Sequence, residues 1–164
     1  MTHREHRTGH LIVSHGTAED VKERFLALGL VYSDEIDAIM DTETPKATAE
    51  RWLTGLLRRV QEQEGRWLVL DTLAGAYVGF ALAEIHRPGW GYILEFYIVS
   101  ERRRCGRGRQ LFSCISEVMS GAGAGNVWLT SNSAALPFWG SLGFAATGAV
   151  AADNGLPVLT RAIP

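Results

Sequence analysis

Five of the chain's 16 basic residues, Arg102, Arg103, Arg104, Arg107 and Arg109, fall within eight positions, with Gly106 and Gly108 among them. Such a concentration of guanidinium groups calls for an anion. The glycines narrow its kind, because a backbone without Cβ can approach a phosphate closely and adopt dihedrals that other residues resist. The run Arg103-Arg104-Cys105-Gly106-Arg107-Gly108 follows a β-prone stretch and precedes residues of helical period. Its N–H groups would therefore open a helix, where the dipole favours negative charge. No Gly-Lys-Ser/Thr follows, which excludes a nucleoside-triphosphate loop, and a dinucleotide fingerprint would need a βαβ unit with a later acidic residue. A net charge of −2 and the interspersed glycines argue against nucleic acid as the partner.

The elements around this loop can be read from periodicity. Upstream, residues 11–13 form a short apolar run, and Thr17 is a plausible cap for a helix carrying Val21, Phe25 and Leu28 on one face. A second helix carries Ala49, Trp52, Leu53, Leu56, Leu57 and Val60, bounded by Thr44-Pro45 and ending near Gly65. Residues 67–71 and 77–86 read as a hairpin turned at Ala74-Gly75, and residues 92–100 add a third strand. Beyond the arginines, Leu111, Phe112, Ile115, Val118 and Met119 predict a helix that stops at the Gly-Ala run 121–125. Residues 127–130 follow as a strand, 134–142 as a short helix, and two last strands turn about Asp153-Asn154-Gly155. The order is β-α-α-β-β-β-α-β-α-β-β, an α/β fold with a mixed, mostly antiparallel sheet of six or seven strands and about four helices.

The chain's 164 residues, 46% hydrophobic and 21% charged, suit a single domain spanning 1–164. No apolar run approaches the roughly 18 residues of a membrane span, so no membrane association is expected. The polar N-terminus, with Arg4 and Arg7, lacks the features of a secretory signal, and a cytoplasmic location is expected. Cys105 and Cys114 match neither a metal pair nor a disulfide framework, and no metal is expected.

Two segments together, 93–108 and Asn132-Ser133-Ala134-Ala135-Leu136-Pro137-Phe138-Trp139-Gly140-Ser141-Leu142-Gly143-Phe144, resemble the GNAT superfamily of N-acyltransferases. The resemblance implies acetyl-CoA as co-substrate, with its diphosphate held by the loop of Arg103, Arg104, Cys105, Gly106, Arg107, Gly108 and Arg109. It implies that backbone groups near Ile98 and Val99 pair with the pantetheine arm and polarise the thioester carbonyl. The arm would lie where strands 92–100 and 127–130, parallel to each other, splay apart. Asn132, Phe138 and Trp139 would complete the coenzyme side, Asn132 serving as ligand, helix cap or both.

Acyl transfer needs a base for the amine and a proton for the departing thiolate. Glu95, in an otherwise apolar strand, matches the position where the family often carries an acidic group, with a one-residue ambiguity against Leu94. Glu84 and His86 are the alternatives. Trp139 stands where many members have a tyrosine, and indole has no proton to give at neutral pH; either Tyr97 or water supplies the proton, or the thiolate leaves unassisted. Between residues 19 and 50, nine acidic residues (Glu19, Asp20, Glu23, Asp34, Glu35, Asp37, Asp41, Glu43, Glu50) face three basic ones, which hints at a cationic amine acceptor. The expected function is N-acetyl transfer from acetyl-CoA to a primary amine of a small molecule or peptide, with an acyl-CoA-binding sensor as the alternative and a homodimer possible.

Overall fold

The computed structural model describes residues 6, 7, 9–17 and 20–164; Arg4 and Glu19 lie outside the described residues. Strands β1 (His6–Arg7) and β2 (His10–Val13) lead into two helices, α1 (Lys22–Met40) and α2 (Lys46–Glu62). A meander follows, β3 (Arg66–Leu73), β4 (Ala76–Arg87) and β5 (Trp90–Ile98), and a 3-10 turn at Ser100–Arg102 leads to α3 (Arg107–Gly121). The chain ends with β6 (Asn126–Thr130), α4 (Leu136–Ser141), β7 (Ala145–Val150) and β8 (Pro157–Ala162). The sheet runs β1-β2-β3-β4-β5-β6-β8-β7, and β5 with β6 is the parallel pair. It is the mixed, mostly antiparallel sheet expected from the sequence, with the two-residue β1 added at one edge.

Alternation along the central strands divides the core between the two faces of the sheet. Leu68, Leu70, Phe80 and Leu82 pack with Phe25 and Leu53 under α1 and α2, while Val69, Ala81 and Ala83 pack with Leu111, Ile115 and Met119 under α3. One sheet thus supports two helical layers.

The start of α1 differs from the sequence reading. Thr17 closes a turn with Ser14, its N–H donating to Ser14 O at 3.1 Å and its hydroxyl accepting from Ser14 N–H at 3.2 Å. Engaged there, it does not cap α1, which begins at Lys22 after Val21 with no side-chain cap. The helix then continues through Tyr32 and Glu35 to Met40, well past Leu28.

Two departures from regular pairing shape β5. Leu82 pairs with Glu95 and Ala83 with Ile93, so Leu94 is an extra residue, a β-bulge that places Leu94 and Glu95 on the same side of the sheet. The parallel ladder to β6 holds only for Trp90, Gly91 and Tyr92, opposite Asn126, Val127 and Trp128. From Ile93 onward β5 parts from β6, as bulging and the accompanying twist favour.

Candidate active site

The loop after β5 contains two residues in the left-handed region, Arg104 at φ 62° and Gly106 at φ 85°. The second is where glycine is needed, since a side chain there would be strained. Gly108 has another reason for lacking a side chain: a Cβ would lie 2.9 Å from the Phe138 ring, so the start of α3 packs directly on α4. The first backbone bond of α3 runs from Gln110 N–H to Gly106 O, at 3.1 Å, and no side chain caps the helix. The N–H groups of its first turn are therefore open donors at the positive end of the helix dipole.

The arginines divide by role. Arg107 turns inward and grips buried Asp71 with both Nε and Nη2, at 2.8 and 2.7 Å, and reaches Thr72 O at 3.1 Å. Its side chain anchors α3 to β3 instead of facing an anion, as the loop's charge alone had suggested. Arg103 donates from Nε to Ile98 O at 2.7 Å and from Nη2 to Glu35 at 2.6 Å. Cys105 turns its thiol to Arg102 O at 3.0 Å, away from the cavity lining. Arg104 and Arg109 line the cavity, and among the described residues neither has a carboxylate partner.

That cavity, about 610 Å³, lies over the parting of β5 and β6. Ile36 and Ile39 of α1 form one wall, Phe96 and Ile98 of β5 the floor, and Pro137 and Phe138 of α4 the other wall. Both backbone groups of Val99 are engaged, its N–H with Val78 O and its carbonyl with Arg102 N–H, each at 2.9 Å. Strand alternation turns the Phe96 and Ile98 N–H groups to the open edge instead. Asn132 lines the cavity and accepts from Ala135 N–H at 3.0 Å, capping the turn into α4. Trp139 also reaches the cavity, but it is 5% exposed and packs against Phe96, Phe112 and Phe144.

Glu95 sits on the opposite side of β5 from Phe96, where its Oε2 accepts a hydrogen bond from the Tyr32 hydroxyl. Burial pushes its carboxyl up to about 7, with the Tyr32 bond opposing that shift. Such a carboxyl is poised to take and release protons near neutrality. The other candidates are engaged elsewhere. Glu84 pairs with Arg66, and His86 Nδ1 lies 3.9 Å from it, at the far end of β4. The Tyr97 hydroxyl donates to Glu35 at 2.7 Å, and burial followed by that carboxylate pushes its phenol well above the ordinary range, which makes it a poor acid. Glu35 itself is held below the usual carboxylate range, the bonds from Tyr97 and Arg103 outweighing desolvation.

Of the acidic residues in the N-terminal helices, Glu35 lines the cavity, and Arg103 neutralises it. Asp37 accepts from Thr42 and Thr44 at the end of its own helix, and Glu50 lies 3.9 Å from Lys46. The acidic excess does not converge on the cavity. Tyr32 was missed in the sequence, although continuing the stripe of Phe25 and Leu28 by one turn leads to it.

The sequence model of the acetyltransferase (GNAT) family matches residues 33–144, more than half of the chain. Comparison with curated proteins found no match. Among solved structures, PaiA N-acetyltransferase from Thermoplasma acidophilum in complex with coenzyme A is similar, with a TM-score of 0.71 at 15% identity over 92% of this chain and 98% of that one. Ard1 from Thermoplasma volcanium gives 0.68 at 19% identity over 96% and 99%. Tetrahymena GCN5 gives 0.65 at 12% identity over 93% and 94%. At these identities the structures speak for the fold; with the sequence match across both the loop and the α4 segment, the chain belongs to the GNAT acetyltransferase family.

Proposed function

We propose that this protein transfers an acetyl group from acetyl-CoA to a primary amine of a small molecule or peptide by direct attack. The observation that carries the reading is the junction of two features: β5 parts from β6 beside the uncapped first turn of α3, and the raised carboxyl of Glu95 lies just past the parting. Open N–H donors with Arg104 and Arg109 suit a diphosphate, and the exposed edge of β5 suits an amide-bearing arm. Acetyl-CoA supplies an acyl group activated as a thioester, whose carbon accepts the amine's lone pair as sulfur departs with its bonding pair. The Ile98 N–H, at the open edge, is the donor for the carbonyl oxygen. Glu95 takes the proton that the amine must lose.

The amine approaches on the sheet face that carries Glu95. Tyr92 and Trp128 stack there with centroids 4.0 Å apart, and the hydroxyl of Tyr92 feels Glu95, Asp153 and Glu84. Those carboxylates favour an acceptor bearing positive charge.

A second reading, an acyl-CoA-binding sensor, draws on one observation. Trp139 is an indole packed among rings, with no phenol to offer, and the Tyr97 phenol is tied to Glu35, so neither supplies an acidic proton beside the cavity. One experiment separates the two: coenzyme binding by calorimetry, followed by thiol release from acetyl-CoA across a panel of amines. Binding with amine-dependent thiol release is expected. Binding without release to any amine favours the sensor, and absence of binding removes both readings.

A further inference from the structure

Tyr32 is fixed more tightly than a surface hydroxyl would be. Its ring is 8% exposed and meets Phe80 edge-on at 5.3 Å and Tyr97 at 5.2 Å. Rotation away from Glu95 would break both packing contacts. Its hydroxyl donates to Glu95 Oε2, while Oε1 has no hydrogen-bond partner among the described residues. One turn further along α1, Glu35 receives Tyr97 and Arg103, so the helix is clasped to β5 at two successive points. The bulge at Leu94 and the clasp of α1 thus determine together where the Glu95 carboxylate stands.

We propose that Tyr32 is a positioning residue that holds Glu95 by its Oε2 and presents Oε1 to the acceptor amine. The inference rests on Glu95 being the base of the reading above. The proton passes from the amine nitrogen to Glu95 Oε1, and the Tyr32 proton stays in place. Burial, and then the charge of Glu95, push the Tyr32 phenol well above its ordinary value, so it is no proton source itself. The groups facing Glu95 are few. Tyr32 comes from α1 and Tyr92 from its own strand; Glu84 of β4, with Arg66 and His86 beside it, and Asp153 of the β7–β8 turn act electrostatically on the Tyr92 hydroxyl. The Glu35–Arg103 pair lies one turn away.

A hydrogen bond donated to a carboxylate favours its charged form. Tyr32→Phe keeps the ring and removes the donor, so the acidic limb of the kcat/KM profile should move up by about one pH unit. Activity at pH 6.5 should then fall about tenfold, and at pH 9 by no more than about threefold. Coenzyme affinity should be unchanged. A carbon-13 titration of the Glu95 carboxyl, which needs no turnover, should show the same upward shift. Replacing Tyr32 by 3-fluorotyrosine, nearly isosteric and a stronger donor, should move both readouts down, which covers the case in which the phenylalanine variant does not fold. If Glu95→Gln leaves turnover intact, the base reading fails and this inference falls with it. If Glu95→Gln abolishes turnover while the Tyr32 variants leave the limb and the titration in place, the inference alone is overturned.

Discussion

A carboxyl raised to about 7 by burial has consequences in both activity and stability. As the proposed base, Glu95 must be ionised, so kcat/KM should rise with pH through about 7, and Glu95→Gln should lower it by about 100-fold or more. For stability the sign is opposite. The folded state holds this proton more tightly than the unfolded chain, where a glutamate titrates near about 4.3. Its contribution is complete below the unfolded value and is lost as pH rises through about 7. Glu95→Gln should therefore melt higher than the parent at pH 8 and close to it at pH 4, in thermal scans at the two pH values. The sequence made Glu95 visible as an acid among apolar neighbours. It left the face of the strand open, because counting by twos fails across the bulge at Leu94. Tyr32 was hidden for another reason: a tyrosine in an apolar helical stripe has the same pattern whether or not its hydroxyl has a partner.

At the scale of elements, α3 and its loop depend on contacts that local spacing does not reveal. The arginine run was legible as an anion site by charge, but charge does not say which guanidinium points where. Arg107 is claimed by Asp71, 36 residues earlier, since the start of α3 crosses β3 beside that carboxylate. Arg107→Ala takes the two-point guanidinium from buried Asp71, leaving His10 Nε2 3.6 Å away, and should cost about 3 kcal/mol. That is roughly 6–12 °C in melting temperature for a chain of this size. Arg104→Ala should leave melting unchanged and weaken coenzyme binding about tenfold. Scans and calorimetry on the two variants would separate anchor from ligand. The strand and helix order was readable from β2 onward, because periods of 2 and 3.6 are local, while the two-residue β1 is too short to show either. The start of α1 was not, as Thr17 has a competing partner in Ser14.

The whole molecule is two hydrophobic layers on one sheet, with the cavity where α1 of one layer faces α4 of the other across the parted strands. A ligand lying there touches both layers and should stabilise them together. Coenzyme A at about 100 times its Kd should add about 2.7 kcal/mol, or roughly 5–10 °C. Pantetheine, without the diphosphate, should give a smaller shift at equal concentration. No helix among the described residues is long and apolar enough to cross a membrane. The bulge at Leu94 bears on how such a site can change over time. Substitution of Leu94 leaves the count of residues between Ile93 and Glu95 unchanged, and so leaves the bulge in place. Deleting Leu94 would make the pairing with β4 even while Ile93 stays opposite Ala83 and Glu95 opposite Leu82, each on the face it has now. What the deletion removes is the local bend and added twist beside which β5 leaves β6, so the strand would be more regular and the parting narrower, and this chain is more tolerant of altered letters here than of an altered length.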